Sequence, residues 1–345
     1  NNYGPAVKEE ETTTDIFIPR YIEENATRLR QKYLLWIFEL GNKKFRLNTI
    51  VESLKLSSGI NYWWMLPLVE KCNFAKSPHI TDAIKLLALE EICDEINFSS
   101  ITFSSSNTIL SKSLGALFDK KGVSFNFHFQ AMQIPLKERV LQSRFRAVHK
   151  AVALFWLVRF IILNFNLIGV GHQFLKESSS KLIFFSYLLS ISSSSNREGF
   201  FNSPYWGHLP REMANENVSS LWLHHFVKSE SIPNSKVARS AILQLNKSAG
   251  KREVHVTLSS FLNFGSLFHV FCDFWRVCRI GAQLEPALAD SGNSSSYLWP
   301  LFKAEWVQST SGHIAASNLM HANLMGVALT KLDHQSIGIY LQENQ

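Results

Sequence analysis

The chain has 345 residues, of which 46% are hydrophobic, 12% aromatic and 18% charged, and its net charge is +7. The charged share is below the ~25% usual in soluble domains, and the aromatic content excludes a disordered or low-complexity chain. Most of the excess positive charge lies between Lys137 and Arg159. Because this charge is local and no nucleic-acid-binding motif occurs, no nucleic acid partner is predicted.

The cysteines and the two ends of the chain set its context. The four cysteines lack CxxC spacing, which favours a reducing compartment. The chain begins at Asn1 without Met or a basic signal segment, and it ends just after a strand-like run that includes Tyr340. These features predict an internal start and a chain that is part of a longer protein.

Residues 1–96 are predicted to be mainly helical. Asn25 is placed to cap a helix that ends at Gly41, and Ser77 with a following proline begins a second helix that ends at Asp94. The intervening Tyr-Trp-Trp-Met run, 62–65, has two interpretations that the sequence leaves open: core packing between helices, or an aromatic ligand platform.

From residue 97 strands and helices alternate. Strands are predicted at 101–103, 123–129, 182–189, 221–227, 254–258 and 337–341, and helices at 108–121, 210–217, 235–249, 260–280 and 300–332. Strands separated by helices indicate a parallel sheet with helices on both faces. The sequence therefore predicts an α/β fold, with one Rossmann-like sheet formed by residues 97–345 and interrupted by an insertion at 131–180.

The insertion is predicted to hold basic and aromatic amphipathic helices. Residues 151–168 are almost wholly apolar, but Arg159 near their middle would cost at least a few kcal/mol in a bilayer, which disfavours a transmembrane helix. A helix lying at an anionic membrane surface fits better. The alternative is a buried core helix with a solvated basic cap. The predicted membrane-binding residues are Arg139, Arg144, Arg146, Lys150, Phe155, Trp156 and Arg159.

Candidate ligand residues follow the predicted strands, because ligands of open parallel sheets gather beyond the carboxyl ends of the strands. The loop after the first strand opens a helix whose amino terminus suits an anion. Glu343, after the last strand, is the best candidate for a base, although an exposed turn is the alternative. The substrate-binding candidates of these loops are Ser104, Ser106, Asn107, Tyr205, Trp206 and Asn344.

A run of small residues at 309–313 interrupts the predicted helix 300–332. A kink there could admit substrate to Thr310 beside Trp299; the alternative is a helix break without a ligand. His224 and His225 lie in one predicted strand and face opposite sides, and they have no nearby third ligand, so no metal site is predicted. No motif of a hydrolase, metalloprotease, NTPase or NAD enzyme occurs.

Several segments together resemble the surface carbohydrate biosynthesis proteins of bacteria and archaea, which are similar to GT-B glycosyltransferases. The matching segments span most of the chain, and Tyr-Trp-Trp-Met and the terminal Gln-Glu-Asn-Gln are the most specific of them. They are residues 62–65 with 68–71, 77–91, 184–187, 205–210, 299–302 with 305–306, and 340–345.

The resemblance implies a glycosyltransferase of surface polysaccharide biosynthesis, with a nucleotide-sugar donor and a glycan or lipid-linked acceptor. It also implies a second, nucleotide-binding domain that is absent from this chain, no cofactor, and a cytoplasmic position at the inner leaflet of the cell membrane. A base for the acceptor hydroxyl is needed, and Glu343, His208 and Glu305 are the candidates. The alternative function is a non-catalytic, membrane-recruited scaffold of polysaccharide assembly.

Overall fold

A computed structural model describes residues 17–69, 77, 79–96, 99–131, 146–176, 180–188, 201, 203, 205–248, 252–290, 295–332 and 337–340. The chain divides into two compact units, each assembled from three stretches of sequence. The first unit comprises residues 1–41, 74–133 and 289–302, and the second comprises residues 42–73, 134–288 and 303–345.

The described helices and strands follow the alternation predicted from the sequence. The helices are α1 (Ile18–Glu24), α2 (Ala26–Asn42), α3 (Ile50–Ser53), α4 (His79–Glu95), α5 (Thr108–Lys121), α6 (Arg146–Asn164), α7 (His172–Leu175), α8 (Leu209–Asn215), α9 (Ser235–Ser248), α10 (Phe264–Ala289), α11 (Trp299–Ser311) and α12 (His313–Lys331). The strands are β1 (Lys44–Phe45), β2 (Asn48–Thr49), β3 (Ser100–Ser105), β4 (Ser124–Phe129), β5 (Leu182–Leu188), β6 (Ser220–Phe226), β7 (Glu253–Thr257) and β8 (Ile337–Tyr340). The mixed α/β class is confirmed.

The first unit contains a β3–α5–β4 element whose ends follow local sequence rules. Asn107 caps α5 by accepting hydrogen bonds from the backbone N–H groups of Ile109 and Leu110. Gly122 ends the helix in the left-handed conformation, with φ of +69°. Strands β3 and β4 then pair in parallel, as predicted.

The expectation of a single sheet is wrong for the described residues. Strands β3 and β4 pair only with each other, whereas β5–β8 form a separate four-stranded sheet in the second unit. The physical reason is that a hydrophobic pattern determines which face of a strand is buried but not which strand lies beside it. Alternate residues of β3 and β4 are exposed, so these strands cover one face only, whereas β7 is buried at every residue.

The four-stranded sheet is parallel throughout and has the order β7-β6-β5-β8. One face packs on α8 and α9, where Phe184 stacks on Trp222 with 4.4 Å between ring centroids. The opposite face carries Phe185 and His225 and is covered by α12. The sheet of the second unit therefore lies between two helical layers.

The helix break predicted at 309–313 is confirmed, because α11 ends at Ser311 and α12 begins at His313, with Gly312 between them. The aromatic run 62–65 forms a short 3-10 helix in which Tyr62 and Trp63 are buried in the core and Trp64 is exposed. Tyr62 donates its hydroxyl to the backbone oxygen of Ser309 at 2.5 Å.

Candidate functional site

A cavity of about 320 Å³ lies at the carboxyl ends of β5, β6 and β8. We call it the histidine pocket. It is walled by the strand ends on one side and by α12 on the other. Its lining residues are Phe185, Ser186, Tyr187, Leu223, His225, Leu258, His321, Met325 and Tyr340.

The pocket lies where the connectivity of the sheet reverses. From β5 the chain proceeds to β6 and then to β7 in one direction, but β8 pairs with the other side of β5. The register places Tyr340 of β8 opposite Phe185 of β5, and both line the pocket. In open parallel sheets such a reversal opens a crevice beyond the carboxyl ends of the strands, and ligands bind there. The position of the pocket thus matches the edge that the sequence indicated.

Two histidines of the pocket lining contact each other edge to face. The rings of His225 and His321 are 4.9 Å apart between centroids and inclined at 73°. Tyr187 packs edge-on against His225 at 5.9 Å, and Ser317 Oγ lies 3.4 Å from His321 Nδ1. Burial, and then the neighbouring His321, lowers the pKa of His225 from 6.5 to about 4. Burial also lowers the pKa of His321.

Both imidazoles are therefore neutral near pH 7. A neutral imidazole can accept a proton from a hydroxyl group, which is the task of a general base, and a pKa near 4 makes His225 a weaker base than a free imidazole. Within the described ranges no group of three or more His, Cys, Asp or Glu residues could hold a metal ion. The arrangement suits an uncharged ligand with hydroxyl groups and an apolar face, because most of the lining is apolar or aromatic.

His224, the residue before His225 in β6, points to the other face of the sheet and joins a buried row of hydrogen-bonded polar side chains. Its Nε2 lies 3.0 Å from Nδ1 of His255, whose Nε2 lies 3.3 Å from the Glu253 carboxylate. That carboxylate also accepts the backbone N–H of Phe201 at 2.8 Å. Burial first, and then His255, lowers the pKa of His224 well below 6.5. The prediction that His224 and His225 face opposite layers is confirmed.

The three candidates of the 201–210 region do not line the pocket. Trp206 is a core residue: it donates Nε1–H to Ser186 Oγ at 2.8 Å and packs edge-on against Trp222. The prediction that Trp206 binds substrate is therefore wrong, because its side chain packs in the core of the second unit. Tyr205 and His208 are exposed beside α8, and His208 precedes the first residue of that helix.

The candidates near the helix break are also separate from the pocket. Thr310 is fully buried, donates its hydroxyl to the backbone oxygen of Trp306 at 2.7 Å and packs against Gly281. It has no space for a substrate, so the predicted contact there is wrong and the alternative, a break without a ligand, fits. Glu305 is half-buried in α11, and Trp299 is buried in the first unit.

The first candidate loop belongs to the first unit. Asn107 uses its side chain to cap α5, so two of the backbone donors proposed for an anion are already bonded. Beside it Ser104 is exposed and Ser106 is half-buried. Glu343 and Asn344 lie outside the described residues, directly after Tyr340, and their roles stay predictions.

The predicted membrane-binding residues divide between two faces of α6. Arg146 pairs with Glu285 and donates to Ser311 Oγ at 2.8 Å, and Lys150 lies 4.9 Å above the Trp275 ring. Trp156 packs against His321 at 6.4 Å. These three side chains are engaged within the protein, which differs from the predicted basic face. Phe155 and Arg159 are exposed, and Arg139 and Arg144 lie outside the described residues.

His321 was not found by sequence reasoning. It lies within a long apolar helix, where a single histidine carries no spacing signal, and it meets His225 only through the packing of α12 on the sheet. Strand alternation placed His224 and His225 on opposite faces but did not indicate which of them faces α12. Comparison with protein-family models, with curated proteins and with solved structures gives no match to this chain.

Proposed function

We propose that this chain is the acceptor-side part of a glycosyltransferase of surface polysaccharide biosynthesis, and that the histidine pocket receives the acceptor. The observation that carries the proposal is a pocket with two neutral imidazoles at the reversal point of a parallel sheet. In the order β7-β6-β5-β8, the chain adds β6 and β7 on one side of β5 and then adds β8 on the other side of β5. This strand order is typical of one half of a Rossmann-like sheet.

In the proposed reaction an imidazole of the pair acts as the general base. It takes the proton of the acceptor hydroxyl as the oxygen bonds to the anomeric carbon of the donor sugar, and the bond from that carbon to the nucleotide phosphate breaks. The rings of Tyr187 and Tyr340 offer apolar faces to the acceptor. The donor nucleotide is held by a separate domain, and Glu343 orients the acceptor hydroxyl.

The proposed site of action is the inner leaflet of the cell membrane, with an anionic lipid surface as partner and a glycan or lipid-linked acceptor. Residues Arg146–Leu167 are long and apolar enough to cross a bilayer: an 18-residue window within them has a mean hydropathy of 1.6, and 22% of that window is buried. A surface position is favoured because α6 packs through Trp156 and Phe160 on His321 of α12.

The test is transfer by the native protein with a panel of nucleotide sugars and short glycan or lipid-linked acceptors, measured as released nucleotide. The variants His225→Gln and His321→Gln are compared with His208→Gln, which changes an exposed histidine outside the pocket. Loss of the base is expected to lower kcat by about 10²-fold or more, and the control to retain activity. Wild-type rates in both pocket variants would refute the assignment.

A second candidate is a non-catalytic, membrane-recruited scaffold. It is favoured by the burial of Trp206 and Trp299, two aromatic residues predicted to touch substrate. A scaffold predicts that no nucleotide sugar is consumed and that no glycan perturbs the NMR signals of His225 and His321. Glycan-dependent shifts of these two signals favour the transferase.

A further inference from the structure

Helix α6 has its apolar side turned outward. Phe155 is 68% exposed, Ile162 66% and Phe165 67%. The inward side of the helix carries two buried polar residues, His149 and Asn164, together with Ala153 and the inward-packed rings of Trp156 and Phe160. A helix on the surface of a water-soluble domain normally shows the reverse arrangement. The outward residues recur at intervals of three and four and form one stripe: Val148, Ala151, Phe155, Val158 and Ile162 on α6, and Phe165 in the 3-10 turn that directly follows the helix.

Helix α10 carries a second outward stripe. Phe264, Phe268, Phe271 and Trp275 recur at intervals of four, three and four, and all four are exposed. The two helices meet where Lys150 of α6 lies over the Trp275 ring. We call the ten residues of these two stripes the two-helix apolar surface.

The charges beside this surface have one sign. Arg159 on α6 and Arg276 and Arg279 on α10 are exposed. No Asp or Glu occurs between Arg146 and Lys176. In the exposed part of α10 the acidic residue Asp273 is turned inward, where it accepts the hydroxyl of Ser57 at 3.0 Å. Among the described residues of these two helices, the charges exposed beside the apolar surface are cations, an arrangement complementary to anionic lipid headgroups above acyl chains.

We infer that α6 and α10 insert together into the headgroup region of an anionic bilayer through the two-helix apolar surface. The inference rests on the proposed membrane partner and adds α10, for which the sequence gave no membrane role. It also changes the driving force, because apolar insertion, rather than the basic cluster, supplies most of the affinity. The inner side of α6 contacts His321 through Phe160 at 5.7 Å, so the pocket lies about one helix diameter, roughly 10 Å, from the inserted face.

The test is flotation of the chain with phosphatidylcholine vesicles, with and without phosphatidylglycerol. The variants are Phe155→Gln with Ile162→Gln on α6, and Phe268→Gln with Phe271→Gln on α10. The matched control is Leu47→Gln, because Leu47 is fully exposed in the same unit but outside the surface. Each pair is expected to lower the partition coefficient by about tenfold or more, and the control to leave it unchanged.

A depth measurement identifies the inserted face. Cys272 is exposed on α10, next to Phe271 of the two-helix apolar surface. A polarity-sensitive fluorophore is attached to Cys272 in a variant whose other cysteines, Cys72, Cys93 and Cys278, are replaced by Ala. Vesicles with phosphatidylglycerol are expected to shift its emission to the blue, and high salt to remove only part of the binding, because salt screens charge but not apolar contact.

Three results would overturn the inference: no flotation with anionic vesicles, an unshifted probe at Cys272, or unchanged binding by both double variants. The inference would also be overturned if a second copy of the chain covered this surface. Sedimentation equilibrium without lipid would then show a dimer that the same variants dissociate. Vesicle binding does not depend on sugar transfer. An inactive protein that still inserts would therefore refute the proposed function and leave this inference standing.

Discussion

Acid is expected to destabilise the protein through His225, and replacing this residue tests the expectation. Burial and the neighbouring His321 lower the pKa of His225 from 6.5 to about 4. The folded protein therefore keeps the ring neutral at pH values at which the unfolded chain has already protonated it. Between pH 6.5 and about 4 the unfolded state binds more protons, so the free energy of unfolding decreases as the pH falls.

The magnitude follows from the two pKa values. The gap between 6.5 and about 4 corresponds to about 3 kcal/mol, at roughly 1.4 kcal/mol per pH unit. This contribution is complete above pH 6.5 and is lost by about pH 4. His225→Asn keeps a polar side chain but removes the titration. The variant keeps His224 and His321, whose pKa values are also lowered, so the difference between the two proteins reports on His225 and its interaction with His321.

The assay is urea denaturation at about pH 7.5 and about pH 4.5, with the free energy of unfolding extrapolated to water. Between these conditions the wild type is expected to lose about 2 to 3 kcal/mol more than His225→Asn. The exposed His208→Asn is the control and should follow the wild type. A His225→Asn protein that loses as much stability as the wild type would refute the reasoning.

Two further predictions concern the packing of the second unit. A Cβ at Gly281 would lie 2.5 Å from Cβ of Thr310, so Gly281→Ala should lower the free energy of unfolding by about 1 to 3 kcal/mol. Gly326 lies in α12 with open space around it, so Gly326→Ala should raise the free energy of unfolding by up to about 1 kcal/mol. Thermal melts of the two variants check this contrast. The buried side chain of Asn246 accepts a hydrogen bond from the backbone N–H of His255 and donates one to its C=O. Asn246→Leu should therefore lower the free energy of unfolding, measured by urea denaturation, by about 2 to 4 kcal/mol. A decrease below about 1 kcal/mol would contradict this prediction.

The positions of most helices and strands could be predicted from the sequence because caps, turn residues and hydrophobic periodicity act within a few residues of chain. Asn107 and Gly122 bound α5 through a side-chain cap and a left-handed backbone, and both residues are evident in the sequence. The continuous apolar run at 182–189 marked a strand buried on both faces. The regular alternation at 123–129 also agrees with the structure, since β4 covers one face only.

Pairing between distant strands was not predictable in the same way. The alternation of strands and helices predicts one sheet, but β3 and β4 pair with each other and β5–β8 form a separate sheet. A hydrophobic pattern fixes which face of a strand is buried, but not which strand lies beside it. Trp206 and Thr310 were misassigned for a related reason, because an aromatic or small polar residue near a loop can equally fill a core.

By itself, the sequence determined the α/β class, the bounds of most elements, the parallel direction of the strands and the opposite facing of His224 and His225. These properties depend on periodicity, caps and turn residues, which act over one or two turns of chain. Only the tertiary structure decided that His225 meets His321, that Arg146 pairs with Glu285 and Lys150 packs on Trp275, and that an apolar face of α6 turns outward. Such contacts depend on which surfaces pack together across more than ninety residues of intervening chain, and local pattern carries no information about that choice.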